Sequence, residues 1–152
     1  MNTWKDDLKK LKLDHIKATF PGFFELSGGY RMKVAPYRDT TSNELTRSII
    51  DFIVFSGGDA QRINTTGMMR NIGGKMQWTK SGGRKGSADI SAIFQGRHIS
   101  IEVKIGRDQL SECQLAEKKR IEGAGGLYVV ARNFPEFQYW WNLTFKTQKE
   151  TV

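Results

Sequence analysis

The chain has 152 residues, one cysteine, two histidines and a formal net charge of +8. A chain of this length can bury the core of a single domain, whereas one cysteine, Cys113, excludes an internal disulfide and leaves too few ligands for a zinc site of the Cys/His kind. No apolar run is long enough to cross a membrane and the N-terminus lacks the apolar core of a signal peptide, so we expect a cytoplasmic protein.

The N-terminal part of the chain is predicted to be mainly helical. Residues 6–16 have the apolar spacing of an amphipathic helix, and Pro21 with Gly22 is expected to end it. The stretch 23–39 is ambiguous, with a short strand expected near residues 30–34. A second helix is predicted for residues 42–55, because apolar side chains recur at helical spacing until two consecutive glycines.

The remaining elements alternate between strands and helices. A strand is predicted for residues 60–66, followed by a Gly-rich, basic segment 67–86 that forms a long hairpin or a loop. Two strands, 88–94 and 98–105, are joined by a tight turn at Gln95-Gly96. A helix at 111–122, a strand at 127–131 and a helix at 133–145 complete the chain. This order predicts an α/β fold with a mixed central sheet flanked by helices.

The positive charge is concentrated in the middle of the chain. Between residues 61 and 110, nine Lys and Arg residues face three Asp and Glu residues, a surplus of six. Such a surplus favours binding to the phosphate backbone of nucleic acid, although a basic protein without a polyanionic partner is the alternative. The side chains predicted to contact DNA are Arg62, Lys75, Lys80, Arg84, Lys85 and Arg107.

The residues with the clearest chemistry are Asp89 and the tripeptide Glu102-Val103-Lys104. Side chains alternate along a strand, so Glu102 and Lys104 share one face, about 6–7 Å apart along the chain. If the preceding strand pairs in a simple register, Asp89 lies at the same end of the hairpin. Two carboxylates and a lysine suit metal-assisted phosphodiester hydrolysis. The alternative is a cross-strand salt bridge on a solvated sheet face.

A longer string of residues resembles the VRR-NUC family of the PD-(D/E)XK nuclease superfamily. It covers roughly residues 43–131, although Ala88 stands where the superfamily has a proline. The matching pieces are Lys85 to Ile90, Gly96-Arg97, Ile101 to Lys104, Leu110 to Gln114, and Gly126 before an apolar strand. The resemblance implies a restriction-endonuclease-like core and cleavage of DNA with Mg²⁺ or Mn²⁺.

The resemblance also implies roles for individual residues. Asp89, Glu102 and the backbone carbonyl of Val103 would bind the metal, and Lys104 would act on the attacking water. Glu44, on the first core helix, would support the metal, and Gln114 would be a further catalytic residue. Both have an alternative reading, because Thr41 to Glu44 and Ser111 to Gln114 fit the capping box at a helix N-terminus.

The expected organisation is a nuclease domain at residues 41–152 with an N-terminal extension, residues 1–40, packed on it. By analogy with the family we expect a homodimer acting on structured or branched DNA, such as junctions and flaps, near the nucleoid of a bacterial or phage-infected cell. Two alternatives stay open: a sequence-specific restriction-type endonuclease, and a DNA-binding module that keeps the fold without turnover.

Overall fold

The computed structural model describes residues 3–63, 67–79 and 83–145. Within them the chain forms five α-helices, one short 3-10 helix and six strands. The helices are α1 Trp4–Thr19, α2 Pro21–Leu26, α3 Ser42–Phe55, α4 Glu112–Gly123 and α5 Phe134–Phe145. The strands are β1 Asp59–Arg62, β2 Met68–Ile72, β3 Lys75–Thr79, β4 Ile90–Phe94, β5 Arg97–Val103 and β6 Leu127–Ala131.

Four strands form a central mixed sheet in the order β1-β4-β5-β6. Strand β4 is antiparallel to both of its neighbours, β1 and β5. Strands β5 and β6 are parallel and are connected through α4. The turn between β4 and β5 consists of Gln95 and Gly96, which both have positive φ angles, 49° and 74°. A two-residue turn with positive φ at both positions has a backbone twist that matches the right-handed twist of the flanking strands. The predicted tight turn is therefore confirmed.

One face of this sheet is covered by α3 and α5, and α1 packs against α3. The alternation along β5 turns Ile99, Ile101 and Val103 toward that face, where they join the main core. The helices contribute the buried side chains Leu8, Leu45, Ile49, Ile53, Phe134, Phe137, Trp141 and Phe145. The chain is therefore mixed α/β, with a mixed central sheet flanked by helices, as its sequence predicted.

The N-terminal forty residues share this core, since Leu8 and Tyr37 belong to the same buried cluster. The strand expected near residues 30–34 is wrong, because a 3-10 helix, Gly29–Arg31, lies there instead. Gly28 and Gly29 have positive φ angles that no strand adopts. Pro21 follows the end of α1 as expected, and it also begins α2, where its missing N–H leaves no helical bond unmade.

The Gly-rich basic segment contains a hairpin of its own. Strands β2 and β3 pair antiparallel as a separate two-stranded sheet, with Ile72 opposite Lys75 at the turn. The predicted strand at 60–66 is shorter, because β1 ends at Arg62 and residues 64–66 lie outside the described part of the chain. Across the described ranges, no helix combines the length and apolarity needed to span a membrane.

Candidate active site

Asp89 lies at the start of the β4–β5 ribbon, one residue before the pair Ile90 and Ile101. Continuing the antiparallel register by one residue places it opposite Glu102, so both side chains lie on the same face of the sheet. The Asp89 Oδ2 atom accepts a hydrogen bond from the backbone N–H of Val103 at 2.9 Å. The backbone N–H of Ile63 donates to the Asp89 carbonyl at 2.7 Å. These two bonds fix the carboxylate at the end of the ribbon.

The loop that leads to Asp89 packs directly against α4. Gly86 has a φ of +86°, and a Cβ atom built on it would lie 2.5 Å from the carbonyl oxygen of Cys113. Glycine is required here for both reasons, since a side chain would strain the backbone and collide with the first turn of α4. This close approach links the position of Asp89 to that of α4.

Glu102 lies at the centre of the site and is only 3% exposed. The face of the sheet opposite the main core is covered by α4, so this carboxylate lies under a helix and not in solvent. Its Oε1 atom is 3.3 Å from the Lys104 Nζ, whose side chain is 14% exposed. Glu102 and Lys104 thus form the ion pair that the alternative predicted, but this pair is buried and does not lie on a solvated face.

Gln114 closes the cap of α4 and also contacts Glu102, whereas its catalytic role stays a prediction. Its side-chain oxygen accepts a hydrogen bond from the backbone N–H of Ser111 at 2.9 Å, and its own backbone N–H donates to the Ser111 Oγ at 3.3 Å. This is a complete capping box at the start of α4. In addition, the Gln114 Nε2 donates to the Oε1 of Glu102 at 2.5 Å. The cap therefore also orients the buried carboxylate.

The electrostatics of Glu102 follow from this burial. Loss of solvent, and then the negative charge of Asp89, raise its pKa to about 7, although Lys104 and Gln114 both lower it. A carboxyl that titrates near neutrality because of burial and a like charge is typical of a functional site. The same observation shows that Asp89 is close enough for its charge to act on Glu102.

The second oxygen of Glu102, Oε2, is buried and has no hydrogen-bond partner among the described residues. An ionised carboxylate oxygen without a partner is strongly unfavourable in a protein interior. The nearby hydroxyl of Tyr128 is also buried without a partner, and burial and the charges of Glu102 and Asp89 raise its pKa. A divalent cation held by Glu102 and Asp89 would satisfy the free oxygen, so the residues present fit such an ion.

The donor set suits magnesium or manganese better than a softer metal. Among the residues that the structure describes, no three His, Cys, Asp or Glu side chains are grouped to hold an ion. Magnesium does not need such a group, since it usually takes one or two carboxylates, with water and substrate phosphate completing six oxygen ligands. Asp89 and Glu102 could supply the carboxylates here, and the carbonyl of Val103 stays a predicted ligand.

Glu44 lies in the capping box that was one of its two predicted roles. Its carboxylate accepts hydrogen bonds from the Thr40 hydroxyl at 2.6 Å and the Thr41 backbone N–H at 3.1 Å. Arg38 lies 4.0 Å away. These contacts complete a capping box at the N-terminus of α3 and hold the pKa of Glu44 below its ordinary value. Its structural role is thus clear, whereas its role toward a metal stays a prediction.

Three polar residues that sequence reasoning did not single out lie near His98, between the sheet and α4. The buried Glu117 carboxylate, on α4, forms a two-point ion pair with Arg120 of the same helix. His98 lies 3.2 Å from the hydroxyl of Ser91, through its Nε2 atom. All four residues line a cavity of about 170 Å³ between the sheet and α4. The i to i+3 spacing of Glu117 and Arg120 was the only available sequence signal.

The predicted DNA-binding cations are exposed wherever the structure describes them. Arg62 ends β1, Lys75 begins β3 and Arg107 lies in the turn after β5. Arg84 and Lys85 precede Asp89 in the same loop. Lys80 lies outside the described residues. Comparison with models of protein families finds no match to this chain, and comparison with curated proteins finds none either.

Proposed function

We propose that this protein is a metal-dependent DNA endonuclease with a restriction-endonuclease-like core of the VRR-NUC kind. The observation that carries the proposal is the buried, unpartnered Oε2 of Glu102, next to Asp89 and Lys104. A purely structural ion pair is expected to have both oxygens of its ionised carboxylate partnered, because burying a charge without a full set of partners destabilises the fold. A metal site explains it.

Each residue has a distinct task in this proposal. Asp89 and Glu102 hold the cation from neighbouring strands, and Gln114 keeps Glu102 turned toward it. Lys104 has an ammonium group near the same carboxylate, where it can orient the attacking water or stabilise charge developing on the phosphate. A bound Mg²⁺ or Mn²⁺ would make that water a stronger nucleophile and offset the charge of the phosphate.

The choice of DNA as substrate is supported by charge. The exposed cations Arg62, Arg84 and Lys85 lie on segments that meet at Asp89, through the Ile63 hydrogen bond and the loop before β4. Phosphates held by Arg84 and Lys85 would lie close to the carboxylates, whereas Arg62 is paired with Ile90 and its side chain starts from the opposite face of the sheet. Activity on structured or branched DNA, with two protomers acting on two strands, is part of the proposal and rests on the family resemblance.

The test is nicking of supercoiled DNA with Mg²⁺ or Mn²⁺. We expect Asp89→Asn, Glu102→Gln and Lys104→Met each to lower the cleavage rate by at least about 100-fold, the usual effect of losing one group that stabilises the transition state. DNA affinity in the absence of metal should survive in all three, because the exposed cations are unchanged.

Asp39→Asn is the matched control. The Asp39 Oδ2 atom accepts a hydrogen bond from the backbone N–H of Phe134 at 3.0 Å, the same kind of contact that Asp89 makes with Val103. A rate close to that of the wild type in this variant would assign the loss in Asp89→Asn to the site. Cleavage by Asp89→Asn at the wild-type rate would reject this site, whereas a wild type that cleaves no DNA with either metal would favour a binding module that has no turnover.

A further inference from the structure

The hairpin formed by β2 and β3 is exposed on both of its faces. Every residue from 69 to 78 is exposed, including those in the two strands. Because successive side chains of a strand point to opposite faces, a run of exposed residues means that neither face of the hairpin is covered. A two-stranded hairpin is only marginally stable by itself in water. We therefore expect the surface of this hairpin to contact a binding partner.

One face of the hairpin is apolar. The register places Met69 opposite Trp78 and Asn71 opposite Met76, so these four side chains share a face. Its three large side chains are well exposed: Met69 is 50% exposed, Met76 is 60% exposed and Trp78 is 62% exposed. A contiguous exposed patch of large apolar side chains is typical of a binding site.

The Trp78 ring is held in place by the start of β2. A Cβ atom on Gly67 would lie 2.7 Å from the Trp78 Cε2 and 2.8 Å from its Cζ2, so the indole lies directly over the glycine backbone. Trp78 as a whole is 62% exposed, so much of its side chain faces solvent. An aromatic ring that is fixed on one side and free on the other is a platform on which a flat group can stack.

The charge around the hairpin identifies the partner as a polyanion. From residue 60 to residue 88 the chain has no Asp or Glu, and it has six Lys and Arg residues. Two of them, Arg70 and Lys75, lie in the hairpin strands and are exposed, on the face opposite to Trp78, so a bound strand would pass around the edge of the ribbon to contact both faces. Aromatic side chains combined with a cationic stretch are the usual elements of single-stranded nucleic acid binding, in which rings stack on bases and cations follow the phosphates.

We propose that the β2–β3 hairpin is an arm that binds unpaired bases of DNA, with Trp78 as the stacking platform and Arg70 and Lys75 as phosphate contacts. Bases within a duplex are stacked on each other and offer no free ring face, whereas those of a flap, a gap or a branch point do. The inference rests on the proposed function in naming DNA as substrate, and it refines the substrate class to DNA with unpaired segments.

The experiment measures binding in EDTA, where no cleavage can occur, to a single strand and to its duplex. We expect Trp78→Ala to weaken binding of the single strand about 5- to 100-fold, the usual effect of losing one stacked base. Duplex binding should change little, and Trp78→Phe should retain most of the affinity. Tyr139→Ala is the matched control, because Tyr139 is an aromatic residue on α5 that is 68% exposed; we expect no change from it.

Three outcomes would overturn the proposal. They are unchanged single-strand binding in a folded Trp78→Ala variant, an equal loss for duplex and single strand, and a change in oligomeric state that accounts for the loss. The last would make the apolar face a contact between two copies of the chain. Because the experiment needs no catalysis, a protein that binds as expected but never cleaves would refute the nuclease proposal and leave the hairpin proposal intact.

Discussion

The side chain of Gln114 joins the first turn of α4 to the buried carboxylate of Glu102. Its amide nitrogen donates to the Glu102 Oε1 at 2.5 Å, while its oxygen closes the capping box with Ser111. Formation of the helix and orientation of the proposed metal ligand are therefore coupled through one side chain. The two functions can be separated by mutation, because each uses a different end of the amide.

Gln114→Glu should keep the cap and impair the site. A carboxylate at this position still completes a capping box, but it cannot donate to Glu102 and adds a like charge beside it. We expect metal-dependent cleavage to fall about 10- to 100-fold, as is usual when a partner of a metal ligand is lost. Ser111→Ala is the control, since it removes the cap and keeps the Gln114 contact. It should lower the free energy of unfolding by about 1 kcal/mol, and equal losses of cleavage in the two variants would contradict the account.

The affinity for metal should depend on pH through Glu102. Its pKa of about 7 lies above the ordinary value of 4.5, so the metal-free fold favours the protonated form. The resulting stabilisation is complete below the unfolded-state pKa and is lost as the pH rises through about 7. A metal needs the ionised form, so we expect affinity for Mn²⁺ to fall about 10-fold per pH unit below this pKa.

The Mn²⁺-dependent rise in melting temperature, measured on both sides of neutral pH, would show this effect. Glu102→Gln is the control, because an amide does not titrate, and it should show little response to Mn²⁺ at any pH. A wild-type response that is independent of pH would mean that the carboxyl of Glu102 does not exchange a proton for the ion.

Gly86→Ala should disturb the site through the backbone. Gly86 and Gly125 have the same φ of +86°, but a Cβ atom on Gly125 would meet open space, whereas one on Gly86 would meet Cys113. Gly125→Ala should therefore lower the free energy of unfolding only through backbone strain, by about 1–2 kcal/mol. Gly86→Ala should be destabilised by about 1–3 kcal/mol more, because of overpacking against α4. Denaturant unfolding measures both, and equal effects would show that the loop does not press on α4.

The exposed cations near Asp89 should set the salt dependence of DNA binding. Each lost phosphate contact lowers the slope of log affinity against log salt concentration by about 0.9 for duplex DNA. The triple substitution of Arg62, Arg84 and Lys85 by Gln should thus reduce the slope by about 2 to 3. Substituting Lys9, Lys10 and Lys33, which are also exposed, removes the same charge elsewhere. An identical change of slope in both variants would mean that net charge, and not this surface, governs binding.

Much of the site could be predicted from local sequence. The β4–β5 ribbon followed from the alternation of apolar residues and the Gln95-Gly96 turn, and the ribbon alone places Asp89, Glu102 and Lys104 together. Both capping boxes were visible because their two partners are three residues apart. These features depend on contacts that are close in sequence, for which the spacing of residue types is informative.

The burial of the site could not be predicted in this way. The depth of Glu102 depends on α4 folding back over the sheet, and the 2.5 Å contact with Gln114 crosses 12 positions of sequence. The hydrogen bond from Val103 to Asp89 uses a backbone N–H, which leaves no trace in the sequence. The expected strand near residues 30–34 failed because two glycines turn the chain into a 3-10 helix.

The central claim is that Asp89 and Glu102 hold one divalent ion between them. Titration of the metal-free protein with Mn²⁺, followed by electron paramagnetic resonance in the absence of DNA, tests it most directly. We predict one tightly bound ion per chain in the wild type and in Asp39→Asn, and an affinity at least about 10-fold weaker in Asp89→Asn and in Glu102→Gln. Equal binding by all four proteins, or no bound ion in the wild type, would contradict the claim.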